Sequence, residues 1–116
     1  MLTYAISQAK SIPYEQGQRR IYSVVVDKKD RILSEGSNSY TKTHPLQAKF
    51  AEEADLPQKI FLHAEISALV KIRSGEPYKI YIARVDSKGE PMLAAPCPIC
   101  ALAIKEAKIE SIEHTI

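Results

Sequence analysis

The sequence predicts an α/β protein, a three-layer α/β/α sandwich, and three observations carry that prediction. Leu2, Ala5, Ile6 and Ala9 recur with the spacing of one helix face at the start of the chain. Two β-rich runs, Ile21–Val26 and Arg31–Glu35, flank the polar turn Asp27–Asp30 and read as a hairpin. Further along, helix-like and strand-like runs alternate twice. A sheet covered by helices on both faces is the architecture such an order produces.

Each element follows from its local pattern. Leu2–Lys10 opens the chain as a short amphipathic helix, and Gly36 closes the second strand of the hairpin. The stretch SNSYTKTHPLQAKFAEEADLPQK has no sustained period, and Pro45 and Pro57 are expected to break any helix over LQAKFAEEA. A connection of that length suggests a functional loop or lid. It carries Tyr40, Lys42, His44 and Lys49 as candidates for binding a phosphate or closing over a site. From Leu62 the pattern is helical, because Leu62, Ile66, Leu69 and Val70 share a face, and Gly75 offers a stop. YKIYIAR then reads as a strand apolar on both faces. VDSKGEPMLAA is a polar loop, PCPICALAIKEAK a helix beginning near Pro98, and IESIEHTI a final strand.

A chain of 116 residues with 45% apolar content fits one domain, residues 1–116, with a real core. Sixteen basic and fourteen acidic residues leave a formal charge of +2, too balanced for a dedicated nucleic-acid binder. A small anionic substrate is compatible with it. No apolar run approaches the roughly 18 residues of a membrane span, and MLTYAISQAK lacks the regions of a signal peptide. A cytoplasmic protein without membrane contact is therefore expected. Cys97 and Cys100 are the only cysteines. Two thiols so close in a reducing compartment suggest metal or redox chemistry more than a structural disulfide.

In PCPIC, Cys97 at a helix cap and Cys100 one turn later can reach the same point. The helix N-terminus favours negative charge there, which lowers thiol pKa values and supplies the thiolates zinc requires. His63, in FLHAEISALVK, can supply the third ligand. His63 and Glu65 are two residues apart, about 200° around a regular helix, so both cannot face one metal from mid-helix. The conflict disappears if His63 sits at the half-helical start, and two helix N-termini then converge on one ion. One imidazole and two thiolates leave a fourth position open, the pattern of a catalytic zinc. Such an ion lowers the pKa of a water held there. Glu65, close but not coordinated, can move that water's proton toward a ring nitrogen and a leaving amine, which is hydrolytic deamination.

HAE followed by PCPIC resembles the H-x-E and P-C-x-x-C pair of the zinc-dependent cytidine/deoxycytidylate deaminase superfamily. The resemblance runs over nearly the whole chain. It implies a cytidine deaminase-like sandwich with a mixed sheet, truncated after the fourth strand. It further implies Zn2+ held by His63, Cys97 and Cys100, with Glu65 as the proton shuttle. Asn38 in GSNSY stands where the family holds the substrate sugar or base, and the backbone of Ala64 and of the Ala95 region resembles the family's contacts to the base edge. The implied substrate is a free cytosine nucleoside or nucleotide of cytidine or deoxycytidylate type, and the implied assembly is a homo-oligomer. Ala95 stands where tRNA adenosine deaminases usually carry glutamate, which points away from that subclass.

Simpler readings accompany each residue. The cysteines read alone as a redox or inert buried pair, or with His44 as part of a structural zinc site. His63 alone reads as a cap or core residue, Glu65 as a first-turn acid favoured by the helix dipole, and Asn38 as a turn residue. The competing functions are deamination of a base in single-stranded DNA or tRNA, and a non-catalytic zinc-stabilised binding subunit.

Overall fold

The Ile21–Val26 run is the spine of the sheet. In the computed structural model, which describes residues 1–116, β1 (Arg20–Val26) pairs antiparallel with β2 (Ile32–Ser37) on one side and with β3 (Lys79–Val85) on the other. The outer edge of β3 is shared end to end. Its last residues pair antiparallel with β4 (Pro91–Met92), and its first residues pair parallel with β5 (Ser111–His114). The sheet is therefore mixed, as the resemblance implies.

The helix α1 (Leu2–Ser11) covers one face, with Ala5 and Ala9 against Val24, Val26, Tyr81, Ala83 and Val85. The other face carries Val25, Ile80 and Ile82, covered by Ala68 of α3 (Ala64–Leu69) and Ile104 of α4 (Pro98–Glu106). A third apolar cluster joins α2 (Pro45–Glu53) to α3 and α4 through Phe50, Ala51, Ile66, Ile99 and Cys100. Strand alternation explains the split, because successive residues of β1 and β3 point to opposite faces.

The structure corrects the sequence reading in three places. The prolines do not break the helix over LQAKFAEEA. Pro45 occupies its first turn, where a missing N–H costs nothing, and Pro57 lies beyond its end. The loop VDSKGEPMLAA contains β4, so the sheet has five strands and not four. Finally, α3 ends at Leu69, well before Gly75, which adopts φ +88° in the turn leading to β3.

The two hairpins use one turn. Asp27 accepts the N–H groups of Lys29 and Arg31 through Oδ1, each at 2.9 Å, and Asp86 accepts those of Lys88 and Glu90 at the same distances. The fourth residue of each turn has positive φ, 62° at Asp30 and 84° at Gly89. Such a turn followed by a left-handed residue is a common short hairpin connection.

Small residues on β1 and β2 let α3 lie close against the sheet. Gly36 pairs with Ser23, and a Cβ at Gly36 would sit 2.6 Å from Ser67 Oγ and 2.7 Å from the Ala68 nitrogen. The second of these is backbone and cannot swing away. The hydroxyls of Ser23 and Ser34 are buried in the same sheet without a hydrogen-bond partner. Gly36→Ala is accordingly expected to push α3 outward and destabilise the protein by about 1–3 kcal/mol, read as a lower urea midpoint. An unchanged midpoint would refute the close packing.

Candidate metal centre and pocket

Both ends of the centre are helix starts. His63 is the N-cap of α3 (φ −80°, ψ 155°) and Cys97 the N-cap of α4 (φ −71°, ψ 169°). An N-cap side chain ordinarily accepts a hydrogen bond from the first turn. Neither does so here, and both turn instead toward a shared point. His63 Nδ1 lies 3.4 Å from Cys97 Sγ and 3.2 Å from Cys100 Sγ, and the three ligand atoms all fall within 4.8 Å of one another. A tetrahedral zinc with ordinary bond lengths would separate a nitrogen from a sulfur by about 3.5 Å. The nitrogen–sulfur spacings and the donor types fit that ion.

The local charges also suit a cation. The Cys100 thiol donates to Cys97 and, with a further contribution from His63, holds the Cys97 thiol down at about 3 against the opposing effect of burial. Cys100 is pushed far above the ordinary thiol range by the Cys97 sulfur and by burial. His63 is raised by its hydrogen bond to Cys97. Burial raises the Glu65 carboxyl, which is only 6% exposed.

The cluster opens onto a cavity of about 360 Å³. Asn38, His63, Ala64, Glu65, Ala95 and Cys97 line it, so all the site residues read from the sequence meet there except Cys100, which is buried beneath. Asn38 has both ends of its amide engaged: Oδ1 accepts from the Ile21 N–H at 3.1 Å, and Nδ2 donates to the Arg19 carbonyl at 3.0 Å. These bonds extend the β1–β2 pairing. One Nδ2 hydrogen and one Oδ1 lone pair remain for a ligand. Ala64 is the first helical residue of α3, so its N–H has no intrahelical acceptor.

Of the loop candidates, Tyr40 lines the cavity, and its hydroxyl accepts the Arg19 N–H at 2.8 Å. His44 caps α2, and Lys49 faces Glu106 at 3.4 Å, away from the cavity. Sequence reasoning missed Arg19, Lys59 and Arg84, which also line it. The β1–β3 register sets Arg84 opposite Ile21, a placement that no local pattern announces.

Residues 1–115 match the family described as the cytidine and deoxycytidylate deaminase zinc-binding region. The chain belongs to the cytidine and deoxycytidylate deaminase family. Among solved structures it is similar to the dCMP deaminase of the cyanophage S-TIM5 in apo form, at 18% identity and a TM-score of 0.58, covering 97% of this chain and 80% of that one. It is likewise similar to a glutamate-to-glutamine variant of cytidine deaminase from Mycobacterium tuberculosis, at 17% identity and a TM-score of 0.55, covering 98% and 82%. These likenesses establish the shared α/β fold. No curated protein sequence matches the chain. The family's zinc-binding region and the placement of His63, Cys97 and Cys100 together make zinc the cofactor.

Zinc requires deprotonated ligands, and Cys100 holds its proton strongly without the ion. Equilibrium dialysis is expected to find one zinc per chain, with affinity falling as pH falls and lost in Cys100→Ala. Undiminished binding by that variant would remove Cys100 from the ligand set.

Proposed function

We propose that the protein, as one domain over residues 1–116, catalyses zinc-dependent hydrolytic deamination of a free cytosine nucleotide or nucleoside. Its ligands are His63, Cys97 and Cys100. The observation that carries this reading is a buried carboxylate, Glu65, two residues from the ligand His63 and lining the same cavity. When bound, zinc supplies the Lewis acidity that makes a water nucleophilic near neutral pH.

The chain's own groups do the rest. Glu65 takes a proton from the attacking water, holds it because burial raises its pKa, and delivers it to the ring nitrogen next to C4. A second transfer carries the remaining proton of that water, now a hydroxyl on C4, to the amine on C4; the C4–amine bond breaks, ammonia leaves and the uracil carbonyl forms. The Ala64 N–H and the backbone at Ala95 hold the base edge, while the unused half of the Asn38 amide meets the sugar.

Charge favours a nucleotide over a nucleoside. Arg19, Lys59 and Arg84 line the cavity, where Glu65 is the only acid. A phosphate suits that balance, and deoxycytidylate is the first substrate to try. The apolar Phe61 and Leu93 at the cavity are 48% and 58% exposed, which supports a homo-oligomer covering them. The free cysteines support a cytoplasmic setting, and no helix is long and apolar enough to cross a membrane.

Ammonia release tests the reading across cytidine, deoxycytidine, their monophosphates and a short single-stranded DNA. Turnover of deoxycytidylate is expected, with Glu65→Ala keeping its zinc and fold but losing at least about 10²–10⁴ in kcat. Activity retained in that variant would refute the proton-carrying role. Arg84→Ala is expected to raise KM for the monophosphate roughly tenfold, the loss of one charge-assisted hydrogen bond, while leaving KM for the nucleoside unchanged. An equal rise for both would remove the phosphate contact.

A further inference from the structure

Gln47 is a fully buried polar side chain on α2, with no solvent exposure. Both ends of its amide are used. Nε2 donates to the Lys59 carbonyl at 3.2 Å, and Oε1 accepts the backbone N–H of His63 at 3.2 Å.

The second bond bears on the metal ligand. In a capping box, the residue three positions into the helix reaches back to the N–H of the N-cap residue. That position in α3 is Ile66, which is apolar and fully buried, so α3 cannot close its own box. Gln47 meets the His63 N–H from another helix. The cap is thereby held through its backbone alone, and the imidazole is free to turn toward Cys97 and Cys100.

The same segment places Gln47. His44 caps α2, with Nδ1 accepting the Leu46 N–H at 3.0 Å, and Pro45 opens the first turn. Gln47 then falls on the face of α2 that is buried with Phe50 and Ala51. Backbone bonds from Ser39 N–H to the Leu62 carbonyl (2.8 Å) and from Leu62 N–H to the Lys42 carbonyl (2.9 Å) tie the two ends of the segment together beside His63.

We propose that Gln47 is the positioning residue of the metal centre, fixing the His63 backbone so that Nδ1 meets both sulfurs and coupling the 39–62 segment to metal affinity. The inference rests on the reading of His63 as a zinc ligand. Gln47→Met nearly conserves volume and removes both hydrogen bonds. Zinc affinity is measured by chelator competition, and the absorption bands of the cobalt(II)-substituted protein report the ligand geometry.

The expected result is one metal per chain bound about 10- to 100-fold more weakly, the range for loss of a group that orients a ligand, with shifted cobalt bands. Val24→Ala, a cavity on the opposite face of the sheet, is expected to lower thermal stability yet leave affinity and bands at parental values. Parental affinity in folded Gln47→Met overturns the proposal, as does an equal affinity loss in Val24→Ala. Should Gln47→Met not fold, hydrogen exchange of the parent decides: the His63 amide is expected to be strongly protected, and exchange at the rate of an exposed amide overturns the proposal. A parent chain that binds no zinc overturns the ligand assignment itself, and the proposal with it.

Discussion

The meeting of two helix N-cap side chains at one point is the interaction that organises the molecule. His63 and Cys97 are those N-caps, neither side chain makes a cap hydrogen bond, and both meet Cys100 of the first turn of α4. The orphan N–H groups they leave are a source of positive partial charge, which stabilises thiolate and draws anionic groups to the same place. The rest of the fold brings the N-cap side chains of two helices together, with His63 Nδ1 3.4 Å from Cys97 Sγ. Gly36 lets α3 lie flat on the sheet, Pro98 starts α4 immediately after Cys97, and the apolar layer of Ile66, Ile99 and Phe50 locks the two helices together.

Burial divides the labour among the polar groups. Cys100 sits beneath the cavity, where its sulfur is closed off, whereas Cys97 and His63 line the cavity wall. Glu65 is buried yet reaches the same wall, so its carboxyl is desolvated and its proton affinity raised. The cationic side chains gather from separate elements, Arg19 before β1, Lys59 before α3 and Arg84 on β3. The histidine–cysteine cluster and the cationic side chains share one cavity.

The meeting of His63, Cys97 and Cys100 and much of the fold were legible because the residue types stand at fixed spacing. The HAE and PCPIC motifs specify which atoms meet, and Pro98 marks where a helix must begin. The helix α2 was misread because its signals were unusual: the cap is a histidine acting through Nδ1, and a proline at the first turn looks like a breaker when the cap goes unrecognised. The strand β4 is only two residues long, although VDSKGE repeats the turn chemistry of VDKKDR, and that repetition was a usable signal for a second hairpin. Arg84 and Gln47 were hidden for another reason. One reaches the cavity through sheet register, and the other acts on backbone atoms, which carry no side-chain signature.

The most direct test of the centre is the zinc X-ray absorption spectrum of the purified, zinc-loaded protein. Two sulfurs at about 2.3 Å and two lighter nitrogen or oxygen neighbours at about 2.0–2.1 Å are predicted, the shell of one histidine, two cysteines and one open position. A shell with no sulfur, or with more than two, would contradict a site built by His63, Cys97 and Cys100 at two converging helix starts.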